Sequence, residues 1–141
     1  MAFTGKNYNG AHFSQSPTIV DVAASAIADV RCKVMKLTAS GLALAEDGSA
    51  APIGLAMIEE GDNDISGVES GKVAAGDEVT VLIKDIGFAI AADDIDKGAE
   101  LMATTGGTVT TAETGKYVIG FALSSATAGS VLRVQIAKYK K

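Results

Sequence analysis

Short runs of alternating apolar and polar residues, separated by glycine-containing turns, make up most of the chain after residue 17. EVTVLI, TVTT and VLRVQI are examples, and the more uniformly apolar GFAI and YVIGFAL are interpreted as further strands. Alternation with a period of two places successive side chains on opposite faces of a sheet. The pattern therefore predicts an all-β domain over residues 18–141, a compact barrel or sandwich with short helical turns at most.

The segment from Ile19 to Val30 fits two structures. Its first residues, TIVDV, alternate weakly as a strand would, but its apolar positions also fit one face of an amphipathic helix. The periodicity of apolar residues does not decide between the strand and the helix. The following RCKVMKL is interpreted as a half-buried strand in which Cys32, Val34 and Leu37 point inward.

Two stretches of the chain repeat the same order of strand, glycine turn, strand and second turn. They are residues 36–56 and 100–122, and each ends in a shared motif, IGLA at 53–56 and IGFA at 119–122. Each is followed by a valine-rich strand. The echo indicates a duplicated β-unit, in which the motif glycine allows a close backbone approach or a bulge.

Residues 1–17 differ from the rest of the chain and are interpreted as an extended N-terminal arm. Three of the seven Phe and Tyr residues lie there, Phe3, Tyr8 and Phe13, together with the only histidine, His12. Free disordered tails are normally poor in aromatics, whereas buried aromatics dominate interface energetics. These four residues are therefore the predicted contacts with a partner.

The composition and net charge of the chain exclude several classes of partner. The chain of 141 residues is 48% hydrophobic but only 5% aromatic, so its core must consist of aliphatic side chains. A net charge of -5 disfavours nucleic acid as a partner. There is neither a signal-like nor a membrane-spanning apolar run, so we expect no membrane association. The terminal Lys138, Lys140 and Lys141 are interpreted as a solvated end.

The reactive residues are too few for a recognisable catalytic or metal site. One histidine in the arm and one cysteine, Cys32, make neither a nucleophile–base pair nor a zinc cage. The calcium-like DNDISG at 62–67 has Val73 where an acidic ligand would be required. We expect no enzyme activity, no metal and no cofactor. The alternative is a biotin-type carrier modified on Lys36 of VMKL, which would require that lysine to protrude from a tight turn.

The series KLTASG, PIGLA, AAGDEVTV, GFAI, DIDKGAEL, GGTVTTA, YVIGFAL and SVLRVQI lies within residues 31–136. In this order it resembles the capsid cement, or decoration, proteins of tailed bacteriophages. The resemblance implies a structural virion protein, made in the host cytoplasm, that binds the outside of a capsid and stabilises contacts between major capsid subunits. It also implies the major capsid protein and the protein itself, as a homotrimer, as partners.

Overall fold

The computed structural model describes residues 16–63, 65–66 and 69–141. In this part of the chain the regular structure consists of strands and one 3-10 turn, Thr105–Gly107. The predicted all-β fold is thereby confirmed. The strands are β1 Thr18–Val22, β2 Val34–Thr38, β3 Gly41–Leu44, β4 Gly54–Ala56, β5 Glu78–Leu82, β6 Ile86–Ile90, β7 Glu100–Thr104, β8 Thr108–Thr111, β9 Tyr117–Ala122 and β10 Val131–Lys140.

The strands form two antiparallel five-stranded sheets that make a sandwich. The first sheet has the strand order β1-β5-β4-β2-β3 and the second has the order β6-β10-β9-β7-β8. Each strand of the first sheet therefore corresponds to the strand numbered five higher in the second sheet. Each sheet also curls until its edge strands meet at one parallel bridge, Ala23 with Leu42 in the first and Ala91 with Val109 in the second. The chain therefore consists of two halves of one topology.

The pairing registers of the two halves are equivalent as well. Gly54 of β4 pairs with Met35 as Gly120 of β9 pairs with Leu101. The duplication predicted from the shared I-G-x-A motif is confirmed, and it extends to strands in which the sequence shows no repeat. Further equivalent pairs are Ala56–Val81 with Ala122–Val134, Val22–Glu78 with Ile90–Val131, and Val20–Thr80 with Phe88–Arg133.

The motif glycines mark places where two backbones come close. A Cβ at Gly54 would lie 2.0 Å from the carbonyl oxygen of Leu82, and one at Gly120 would lie 2.1 Å from that of Gln135. Both distances are far below van der Waals contact, so only glycine fits. The predicted close approach is present in both halves.

The core is aliphatic, as the composition requires, and consists of two clusters. Neither contains an aromatic side chain, and no polar or charged residue is buried in the part of the chain that the structure describes. Full burial of one such aliphatic side chain contributes about 1.5–3 kcal/mol. Fully buried members include Met35, Leu42, Val79 and Val81 in one cluster, and Leu55, Leu101, Ile119 and Leu132 in the other.

The halves differ most in the link before their last strand. Residues 57–77 join β4 to β5, whereas residues 123–130 join β9 to β10. We call residues 57–72 the insertion. Its base is held by hydrogen bonds from the amide of Asp62 to the carbonyl of Lys72, at 3.0 Å, and from the amide of Gly71 to the carbonyl of Asp62, at 2.7 Å.

Two expectations are settled by the structure. The segment 19–30 is a strand followed by isolated bridges, and no helix forms there. The inward placement of Leu37 is wrong, because Leu37 is half exposed. Val34 and Met35 are neighbours on opposite faces of β2, yet both are buried, one in each core cluster, so the simple alternation fails.

Candidate interaction surface

The four arm residues predicted as partner contacts, Phe3, Tyr8, His12 and Phe13, lie outside the described residues. The structure does fix where the arm joins the body. The hydroxyl of Ser16 donates to the carbonyl of Thr18 at 2.9 Å, and the carbonyl of Pro17 accepts from the amide of Ile83 at 2.8 Å. The arm thus starts beside the end of β5.

An exposed apolar face lies on the paired strands β6 and β10. We define the β6–β10 face by Ile86, Phe88, Ile90, Val131 and Arg133, which alternate along their strands with buried residues. Ile90 lies opposite Val131 and Phe88 opposite Arg133. Ile86, Phe88 and Val131 are each about half exposed. Clusters of exposed large apolar side chains mark interaction sites more often than isolated ones do.

Two backbone features place β6 close against the first half. Gly87 faces inward, where a Cβ would lie 2.8 Å from Leu82 Cδ2 and 3.0 Å from Leu55 Cδ1. Asp85 takes a left-handed conformation, with φ 70°, in the short link from β5. Because Gly87 lets β6 approach the core, Ile86 and Phe88 are held on the outer side by the alternation of the strand.

A groove borders the Val131 end of the β6–β10 face. It has a volume of about 250 Å³ and is lined by Ile90, Val131, Ile58 of the insertion, and Asp29, Arg31 and Cys32. Asp29 accepts from Arg31 Nε at 3.0 Å and from Nη2 at 2.9 Å. This hydrogen bonding holds the pKa of the Asp29 carboxyl below its usual value, against the opposing effect of burial.

Cys32 lies in a turn before β2, not in the strand to which the sequence assigned it, and its φ is 59°. Burial of the side chain is confirmed, since only 2% of the residue is exposed. Burial is also the main cause that raises the pKa of its thiol. A thiol of this kind is protonated near neutral pH and is a poor nucleophile.

The C-terminal lysines are exposed, as their interpretation as a solvated end requires, but they also contact neighbouring residues. Lys138 Nζ donates to the carbonyl of Ile53 at 2.7 Å, and desolvation lowers its pKa. Lys140 Nζ lies 5.4 Å from the centre of the Tyr117 ring. The last strand stays paired with β9 as far as Lys140, opposite Tyr117, while its lysines remain exposed to solvent.

The described residues bear on the metal sites and on the carrier alternative considered from the sequence. They contain no group of three or more His, Cys, Asp or Glu side chains placed to hold a metal ion. Lys36 lies inside β2, opposite Ala43, and not in the turn at 39–40. This is not the arrangement that the carrier alternative requires. In the part of the chain that the structure describes, no helix is long and apolar enough to cross a membrane.

Comparison with known proteins decides the family. A family model described as phage cement protein matches residues 23–137. The chain belongs to the phage cement protein family. The cement assignment inferred from the order of short motifs is thus confirmed, and it makes the chain a capsid-associated structural protein of a phage virion. A search among curated proteins finds no match.

One solved structure resembles this cement protein in fold. It is the N-terminal base of the head fibre gp8.5 of bacteriophage phi29, with 20% sequence identity and a TM-score of 0.56. The alignment covers 85% of this chain and 92% of the other. At this identity the likeness concerns the fold alone.

Sequence analysis missed the β6–β10 face. Phe88, Ile86 and Val131 were assigned to strands, but the exposed side of each strand could not be chosen from the sequence. A signal exists in the duplication: once β6 is aligned with β1, Phe88 stands where the first half has Val20. Sequence similarity between β1 and β6 is too low to make that alignment without the pairing registers.

Proposed function

We propose that this cement protein binds the outer surface of a phage capsid and stabilises contacts between neighbouring major capsid subunits. The observation that carries the proposal is the family match over nearly all of the β domain. The aliphatic core, the confirmed fold and the absence of a metal-binding cluster among the described residues support a body that serves as a rigid structural unit.

We assign the capsid contact chiefly to the arm. Phe3, Tyr8 and Phe13, with His12 beside them, supply large apolar surfaces, and tyrosine adds a polar tip. Glycine and asparagine between them allow an extended segment to follow a groove or to pair with an exposed strand edge. Ordering it costs about 1–2 kcal/mol per residue in backbone entropy, so the aromatic contacts must exceed that cost.

We further propose that the protein associates with itself, as a homotrimer on the shell. A small domain without aromatic side chains in its core gains stability when it buries surface against copies of itself. The resemblance to the cement proteins is the source of the number three. Synthesis in the host cytoplasm, followed by addition to the capsid exterior, completes the proposal.

Deletion of residues 2–15 tests the arm. The hydrogen bonds of Ser16 and Pro17 that fix the start of β1 stay in place, so the truncated protein is expected to fold. Full-length and truncated proteins are added to expanded capsids that lack the cement protein. Bound copies and the temperature of capsid disruption are then measured. We expect the full-length protein to bind and to raise that temperature, and the truncated one to bind at least tenfold more weakly.

Two results would overturn the proposal. If the full-length protein does not bind capsids at all, the cement function is wrong. If the folded, truncated protein binds and protects as the full-length one does, the arm is not the capsid contact.

A further inference from the structure

The two halves of the molecule allow an internal comparison of their outer faces. Equivalent backbone positions carry Val20 and Phe88, Thr18 and Ile86, Val22 and Ile90. On the last strands, Glu78 corresponds to Val131 and Thr80 to Arg133. The first half shows that this topology forms with a small and partly charged outer face. The larger apolar residues of the second half are therefore not needed for the fold.

We propose that the β6–β10 face is the surface on which a second copy of this chain packs. The inference rests on the self-association proposed above and names the surface that would carry it. Phe88 is its central anchor, because aromatic side chains at the centre of an interface contribute most to affinity.

The charges around the face argue for a second copy. Arg133 lies within the face, is exposed, and takes part in no ion pair among the described residues. Glu59 and Glu60 follow Ile58, which lines the groove at the Val131 end of the same face. The described ion pairs do not involve these two glutamates. Each copy thus presents an unpaired cation on an apolar surface and carboxylates at its border.

This arrangement is self-complementary. Two acidic bodies repel one another at long range, so contact between copies needs an apolar surface and locally opposite charges. The β6–β10 face supplies both when Arg133 of one copy meets Glu59 or Glu60 of the next. A stable interface buries about 1,200–2,000 Å² in total, so the apolar residues must be joined by such a polar rim.

The first test compares Phe88→Ser with Val20→Ser in the full-length protein. Val20 is the equivalent position in the first half and is also exposed, at 56%. Sedimentation velocity over a range of concentrations at about 0.15 M salt gives the dissociation constant of the assembly. We expect Phe88→Ser to weaken association by about 30-fold or more, and Val20→Ser by less than about threefold. Circular dichroism checks that both variants are folded.

The second test exchanges charges between copies. Arg133→Glu alone and the double variant Glu59→Arg, Glu60→Arg alone should each weaken self-association, by about tenfold. Mixing the two variants at equal concentration should restore part of the lost association, because two of the three contacts in a mixed trimer again join opposite charges. Only a contact between copies can give such rescue, because no capsid is present.

Three outcomes would overturn the inference. The wild-type protein is monomeric both at about 100 μM and on capsids; Phe88→Ser assembles as the wild type does; or the mixed charge variants show no rescue. Capsid binding is measured on the same samples. If Phe88→Ser loses capsid binding while its self-association is unchanged, the face contacts the shell and the inference is wrong. If assembly depends on the face but no variant or wild type binds capsids, the proposed cement function fails by itself.

Discussion

Gly120 of β9 lies directly against the backbone of Gln135 of β10, so that a side chain on Gly120 would begin 2.1 Å from the Gln135 carbonyl oxygen. The pair stands at the centre of the second sheet, between strands that share most of their length. The same relationship between Gly54 and Leu82 in the first half shows that the fold depends on this approach twice.

Gly120→Ala is expected to destabilise the protein by about 3 kcal/mol, because the added methyl group must push β10 away from β9. Gly129→Ala is the matched control, since nothing lies within 4 Å of its Cβ position and only its positive φ, 84°, resists the change. That control should cost about 1–2 kcal/mol. Urea unfolding at neutral pH measures both. Equal losses for the two variants would contradict the close approach.

The Asp29–Arg31 ion pair should make a small, pH-dependent contribution to stability. Because the hydrogen bonds from Arg31 lower the pKa of folded Asp29 below its ordinary value, the contribution is present above the unfolded pKa and is lost as pH falls through the folded pKa. Both side chains are 41% exposed, so Asp29→Asn should cost no more than about 0.5–1 kcal/mol at pH 6. The difference between variant and wild type should shrink as the pH is lowered below 3.8, as measured by denaturant unfolding. A difference that grows on acidification would refute the assignment.

The thiol of Cys32 should be inert in the folded protein. Burial raises its pKa, and it is the single cysteine of the chain, so a disulfide reagent at pH 7.5 should label no thiol in native protein and one thiol per chain in denaturant. Absorbance of the released thiolate gives the count. Rapid native labelling would show that the groove beside Ile58 exposes the sulfur.

Each aromatic side chain of the arm should contribute separately to the affinity for the capsid. Phe3→Ala, Tyr8→Ala and Phe13→Ala are each expected to weaken capsid binding by about 1–3 kcal/mol while leaving the melting temperature of the free protein unchanged. Asn9→Ala, in the same segment, serves as a control and should change binding by less than about 0.5 kcal/mol. Capsid co-sedimentation at several protein concentrations gives the affinities. Equal losses for all four variants would indicate that the arm contributes through its backbone.

The fold could be predicted from the sequence because most strands are apolar or alternating runs and most of the turns between them contain a glycine. The equivalence of Ile53–Ala56 with Ile119–Ala122 further predicted the duplication, since the close approach at the glycine requires the same local sequence in both halves. What could not be predicted depends on contacts between distant segments. Leu37 was placed inward because nothing in VMKLT shows that Val34 and Met35 serve two different core clusters.

Of the two candidate interaction surfaces, the arm was predicted from the sequence and the β6–β10 face was not. The arm is a prediction from composition alone, since aromatics in a glycine-rich segment are unusual, and its role as a contact stays a prediction. The β6–β10 face was missed because exposed and buried sides of a strand such as IGFAI look alike until its partner is known. The groove beside it also joins Asp29 and Arg31 to Ile58 and Val131, residues far apart in the chain that only the tertiary fold brings together.

The unequal links within the two halves have a practical consequence. The same β-unit closes with residues 57–77 in one half and with residues 123–130 in the other, so its topology forms with connections of very different length. Doubling the length of a flexible loop costs only about 0.6 kcal/mol in closure entropy. Residues 123–130 are therefore a natural position to graft a foreign peptide epitope, and the short connection there could be lengthened to match its duplicate without redesigning the scaffold.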